Sequence, residues 1–167
     1  MKTSAIVVLL ASTALAASPE LDKARAWDPL LGGAAAAAQQ KLGCAQAWES
    51  HPGKTPDGKR SYTTFICATT GAQVYVSDGK VFAIGVQLES KLDAKVAAAK
   101  HKAAKQALVT ANCTVTDRGQ AAVGECPNGK GIALIDNWDS ERRSNSLSML
   151  YGQAEVLVPM LGGPFKK

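Results

Sequence analysis

The sequence predicts an α+β fold, an antiparallel sheet with helices packed on one face. Three observations predict it. Short β-rich runs separated by turn residues recur along the chain, and two alanine-rich segments, 34–42 and 89–112, have apolar residues at helical spacing. The third is an order of elements that occurs twice: helix, cysteine, irregular segment, strand ending in a cysteine, then two more strands. This repetition predicts two tandem helix-plus-sheet units, 18–88 and 89–167, each with one disulfide, as one domain or two.

Residues 1–17 have the pattern of a secretory signal peptide. Lys2 is a short positive segment, residues 6–11 are apolar, and small residues precede a cleavage site near Ala16 or Ala17. We therefore expect a secreted or periplasmic protein. No later stretch is long and apolar enough to predict a membrane span.

The first unit begins with a helix at 34–42, which Gly43 ends because glycine readily adopts the left-handed conformation. Residues 45–60 are predicted to be irregular, since Pro52-Gly53 is a turn signal. A strand at 61–67 follows, with β-branched and aromatic residues on both sides.

A hairpin at 73–88 completes the first unit. A type I′ turn needs positive φ at both central residues, and Asp78-Gly79 supplies this at low cost. Counting outward from this turn pairs Tyr75 with Phe82. The predicted faces are Val74, Val76, Val81 and Ala83 on one side, and Tyr75, Phe82, Ile84 and Val86 on the other. Neither face is polar, so the hairpin is expected at the centre of the sheet.

The second unit begins with a long helix at 89–112, ended by Asn112. Its predicted apolar stripe consists of Leu92, Val96, Ala99, Ala103 and Ala107. Strands are then predicted at 114–116, 120–126, 131–136 and 146–151, with a polar loop at 137–145 and a last strand at 155–158.

The four cysteines predict two disulfides. An even count in an exported chain indicates a disulfide framework, and three connectivities are possible for Cys44, Cys67, Cys113 and Cys126. The repeated order of elements favours the sequential pairs, Cys44–Cys67 and Cys113–Cys126. Zinc is not expected because no Cys-x-x-Cys spacing is present. No other cofactor is predicted.

The first candidate site is an acid–base group in the loop 45–60. Glu49, His51 and Asp57 have the side chains of a general acid–base catalyst, provided the fold brings them together. They predict, as an alternative function, a small secreted or periplasmic hydrolase. No spacing among them imposes that geometry, so a solvated loop is the other interpretation.

The second candidate is a lysine row on the long helix. At 100° per residue, its members fall within an arc of about 80°: Lys91, Lys95, Lys102 and Lys105. An anionic polymer of the cell envelope is the partner that such a row predicts, and a solvated face is the other interpretation. Nucleic acid is not expected, because no aromatic residues are interspersed with the lysines.

The third candidate is Trp138 with Arg142 and Arg143 in the polar loop. Tryptophan and arginine are enriched at binding hot spots, although Trp138 could instead pack over the sheet. We therefore expect an exported non-enzymatic binding protein, an inhibitor or neutraliser of a partner protein. The tandem units are similar in outline to the β-lactamase inhibitory proteins. The likeness is one of architecture without a shared motif, so no residue role follows from it.

Overall fold

The computed structural model describes residues 19–140 and 143–161. The predicted signal peptide and Arg142 lie outside the described residues. The helices are α1 (Pro19–Arg25), a 3-10 turn (Asp28–Leu30), α2 (Ala35–Leu42), α3 (Ala94–Thr110) and α4 (Ala154–Met160). The strands are β1 (Glu49–Lys54), β2 (Ser61–Ile66), β3 (Gln73–Ser77), β4 (Lys80–Leu92), β5 (Thr114–Asp117), β6 (Ala121–Glu125), β7 (Lys130–Asp139) and β8 (Ser144–Gln153).

The strands form one antiparallel sheet in the order β1-β2-β3-β4-β8-β7-β6-β5. In each half the strands follow chain order from the edge to the centre, β1 to β4 on one side and β5 to β8 on the other. The two halves meet where β4 pairs with β8. The boundary of the two predicted units, 88/89, lies inside β4. The α+β class is confirmed, and so are both disulfides, Cys44–Cys67 and Cys113–Cys126.

One face of the sheet, here called the first face, is covered by α1, α2 and α3. Its core includes Val74, Ile84, Leu134, Met149 and Tyr151. The hydroxyl of Tyr151 donates a hydrogen bond of 2.6 Å to Asp28 Oδ1. Burial, reinforced by this bond, raises the pKa of Tyr151 above its ordinary value. The bond ties the segment before α2 to the centre of the sheet.

The opposite, second face is covered in part by α4. Val156, Leu157 and Val158 are buried there in a cluster with residues of β4, β6, β7 and β8. The prediction of a strand at 155–158 is wrong. The apolar run favoured a strand, but burial against the second face, with Glu155 in the first helical turn, stabilises a helix instead.

The central hairpin has the predicted turn, since Asp78 and Gly79 have φ of 52° and 74°. Its predicted register holds for Val76 with Val81 and then shifts by one residue, because β4 bulges at Phe82. Tyr75 therefore pairs with Ala83, and Val74 with Ile84. The bulge moves Ile84 to the first face, so the two predicted faces are wrong beyond the bulge.

The long helix begins later than predicted and buries a different face. β4 continues to Leu92, and the Asp93 carboxylate caps α3 by accepting a 2.9 Å hydrogen bond from Val96 N. The buried residues are Ala97, His101, Ala104 and Leu108. Of the predicted stripe only Ala107 packs against this core, and it is partly buried. The rest of the stripe is wrong because alanine surrounds this helix and gives little contrast between its faces.

The segment 45–60 contains an edge strand, β1, rather than only irregular chain. Thr55 N donates to Arg60 O, and hydrogen-bonded pairs alternate along an antiparallel ladder. Pro52 therefore falls in a non-hydrogen-bonded pair with Thr63. Its nitrogen faces the open edge, so proline costs no ladder bond and removes a donor from that edge.

The segment 137–145, predicted as a loop, is largely the end of the β7–β8 hairpin. Trp138 pairs with Asn145, and Asp139 with Ser144. Pairing of the flanking strands continues through these polar residues, which carry no strand signal of their own.

Candidate functional site

The structure brings two of the three predicted acid–base residues together. Glu49 and His51 lie two residues apart on β1 and so share the second face. Glu49 Oε2 is 3.5 Å from His51 Nε2, and both side chains are more than half exposed. This contact is an ion pair only when His51 is protonated, and a pair this exposed contributes at most about 1 kcal/mol to stability.

Asp57 does not join this pair. It lies in the β1–β2 turn beyond the pair Lys54–Ser61, which is three residue pairs from His51, or about 10 Å along the strand. Thr55 Oγ1 donates to Asp57 Oδ1 at 2.6 Å, and Lys59 N donates to the same oxygen at 3.1 Å. These bonds lower the pKa of Asp57 and give its carboxylate a role in the turn.

The lysine row is divided among different environments. Lys91 belongs to β4 rather than to α3, with φ of 58°. Lys105 donates to Asp117 Oδ2, and this hydrogen bond lowers the pKa of Asp117. Lys95 and Lys102 are exposed on the helix. Two of the four predicted lysines therefore remain as an exposed pair on α3.

Trp138 lies near the end of the β7–β8 hairpin and is 52% exposed. The other two tryptophans pack in the core of the first face, Trp27 fully and Trp48 partly. Arg143 follows in the connection between the strands, exposed and with φ of 50°. The structure thus places Trp138 and Arg143 at the same end of one hairpin.

A polar contact supports the backbone at Trp138. Its strand partner Asn145 is only 8% exposed, and Asn145 Nδ2 donates to Asp136 Oδ1 at 2.7 Å. Asp136 lies two residues before Trp138 and so on the same face of β7. This cross-strand contact holds the hairpin below the exposed indole.

A groove of about 810 Å³ lies near β1, β2 and the β3–β4 turn. Its lining includes Pro52, Lys54, Thr63, Phe65 and Val76, which share the first face. No local pattern in the sequence predicts this groove, because residues 49–54 carry no strand signal and the groove forms only when β1 pairs with β2.

Within residues 19–140 and 143–161, no three His, Cys, Asp or Glu side chains are grouped to hold a metal ion. None of the helices in these ranges is long and apolar enough to cross a membrane. Comparisons with protein-family models, curated proteins and solved structures find no match. The similarity in outline to the β-lactamase inhibitory proteins has no support from these comparisons, so a functional proposal rests on this chain's own residues.

Proposed function

We propose that this chain is an exported, non-enzymatic binding protein that engages a partner protein through the end of the β7–β8 hairpin. The observation that carries the proposal is the 52% exposure of Trp138. Leaving half of an indole in water forgoes part of the stabilisation that burial would give. A partner that covers Trp138 recovers it.

Arg143 supports the same proposal. It is exposed at the same end of the hairpin as Trp138, and a guanidinium group makes directed hydrogen bonds to carboxylate or carbonyl oxygens. Tryptophan and arginine together are a composition that hot spots favour. The expected effect on the partner is inhibition or neutralisation, because the end of a hairpin can enter a cleft.

Export is part of this proposal. It is supported by the pattern of residues 1–17 and by the two disulfides, which persist in oxidising compartments such as the periplasm or the extracellular space. Binding would therefore take place outside the cytoplasm.

The test compares the wild-type protein with Trp138→Ala as affinity baits in the native exported fraction. The Kd of the recovered partner is then measured with each bait. We expect the substitution to weaken binding at least about thirtyfold, or about 2 kcal/mol. The folding midpoint should stay within the range of ordinary surface substitutions.

A double variant, Lys95→Ala with Lys102→Ala, is the matched control because it removes exposed charge from α3 and leaves the hairpin intact. It should keep wild-type affinity. A salt-dependent loss in this control together with unchanged binding by Trp138→Ala would reject the proposal and favour an anionic ligand on α3.

A further inference from the structure

The two halves of the sheet correspond residue by residue when Cys67 is set against Cys126. The strand registers then make Val76 equivalent to Leu134, and Thr63 equivalent to Ala122. They also make Ile84 equivalent to Tyr151, and these two residues pair with each other across β4 and β8. The correspondence is therefore consistent with a two-fold axis at the centre of the sheet.

The equivalent positions differ in how well they are covered. Ala122 and Leu134 lie on strands that α3 contacts, and they are 0% and 2% exposed. Their counterparts Thr63 and Val76 are only half-buried and line the groove of about 810 Å³. The first half thus leaves open the part of its first face that the second half covers.

The cause is the length of the helices. Gly43 and Asn112 both have positive φ and both precede a disulfide cysteine, so α2 and α3 correspond at their C-terminal ends. Because α2 has 8 residues and α3 has 17, the first half lacks about 14 Å of helix at 1.5 Å per residue. The chain before α2 runs elsewhere, pairing Gly32 and Gly33 with Val81.

We propose that this groove binds an amphipathic helix of a partner protein, with an inner face of mostly small and apolar side chains and an acidic flank toward β1. The internal correspondence gives the shape, because in the second half α3 contacts β6 and β7 and buries a face made of Ala97, His101, Ala104 and Leu108. Phe65 and Val76 supply the apolar floor.

Charge supports the acidic flank. Lys54 is exposed at the β1 side of the groove. In the second half, the edge-strand residue on the first face is Asp117, which forms an ion pair with Lys105 of α3. The residue that corresponds to Asp117 in the first half is Pro52, which is uncharged. The groove therefore lacks that carboxylate. Its rim has Lys54 on the β1 side and Asp78 at the β3–β4 turn, so a carboxylate on the flank of the bound helix that faces β1 complements Lys54. The net charge of +5 on the chain also favours a negatively charged partner.

This surface is separate from the hairpin end proposed above. The groove lies by the β3–β4 turn, whereas Trp138 lies by Asn145, which pairs with Leu92 at the far end of β4. A partner could occupy either surface alone. Failure at one surface leaves the proposal for the other in place.

Two peptides test the proposal by titration against the folded protein. One has the sequence of α3, residues 94–110, and the other has the same sequence with its lysines replaced by glutamate. The face that α3 buries is identical in both peptides, and only the charge of the lysine positions differs. We expect saturable binding of the glutamate peptide, at least about fivefold tighter than that of the lysine peptide, as one exposed charge contact allows.

Two protein variants make the result specific to the groove. Thr63→Lys places a charged chain on the floor and should abolish binding, while Lys54→Glu, at an exposed position, should reverse the preference between the peptides. Equal binding of both peptides, binding of neither, or binding unchanged in Lys54→Glu would overturn the proposal. A concentration-dependent dimer that Thr63→Lys dissociates would also overturn it, because the occupant would then be a second copy of the chain.

Discussion

Gly152 is the position at which one added methyl group should most disturb the sheet. It pairs with Ala83 beside the bulge, where β4 meets β8. A Cβ at Gly152 would lie 2.7 Å from Ala83 Cβ and 2.8 Å from Ala83 Cα, and closer still to the carbonyl oxygen of Phe82. Most of these are backbone atoms of the central strand pair, so they cannot rotate away. The two halves of the sheet would have to separate locally.

We expect Gly152→Ala to lower the free energy of unfolding by about 3 kcal/mol, the upper part of the range for overpacking. Restriction of the unfolded chain by alanine offsets only about 0.4–1 kcal/mol of such a cost. For a chain of this size the corresponding fall in Tm is about 6–12 °C. Urea unfolding followed by tryptophan fluorescence measures the midpoint and the slope together.

Gly85→Ala is the matched control. Gly85 pairs with Leu150, two residue pairs from Gly152 and therefore on the same face of the sheet. The nearest atoms to its added methyl are Gln73 Cβ, Gln73 Oε1 and Leu150 Cγ, at 3.3–3.5 Å, so a shift of a few tenths of an ångström relieves these contacts. We expect a cost of about 1 kcal/mol, the lower end of the range for overpacking and well below that of Gly152→Ala. Equal midpoints for the two variants would refute the argument that the Gly152 backbone contact is rigid.

Two further predictions concern the central hairpin. Gly79→Val should destabilise the protein by about 1–2 kcal/mol from backbone conformation alone, because φ is 74° and no atom lies within 4 Å of the added Cβ. Gly79→Asn should cost less, and thermal unfolding that finds both equal to the wild type would contradict this. Burial raises the pKa of Tyr75 to about 12, so the folded state retains a proton that the unfolded phenol loses near pH 10. Stability from this group is full below about pH 10 and is lost as the pH rises toward 12, so Tyr75→Phe should flatten that fall, and an identical fall in both proteins would count against the shift.

Local chemistry accounts for what the sequence predicted correctly. The Asp78-Gly79 turn follows from the φ angles that only a few residues adopt at low cost. The disulfides follow from the repeated order of elements, because Gly43 and Asn112 each bring a helix to an end just before a cysteine. These signals involve neighbouring residues and do not depend on packing.

Packing decided the features that the sequence did not predict. β1 forms although Pro52 and Gly53 are turn residues, because β2 supplies its partner. In α3 a histidine, His101, occupies a buried position that a polarity pattern assigns to solvent. The bulge at Phe82 changes which residues face the helices without any local signal in the sequence.

The candidate sites show the same division. Trp138 was identified from composition, but its exposure depends on how far the β7–β8 pairing extends. Glu49 and His51 become neighbours only because β1 is a strand. The groove is open because α2 begins later than its counterpart α3, which is visible only when the paired halves of the sheet are aligned and not in the linear sequence.

The proline at the open edge of β1 bears on how the protein could polymerise. A strand-by-strand filament requires each molecule to accept a neighbour at both ends of its sheet. Pro52 withholds a donor at one end, whereas β5 at the other end contains no proline. Two molecules that pair through β5 would leave only β1 edges outward, so the missing donor at Pro52 favours a closed symmetric pair over a growing filament.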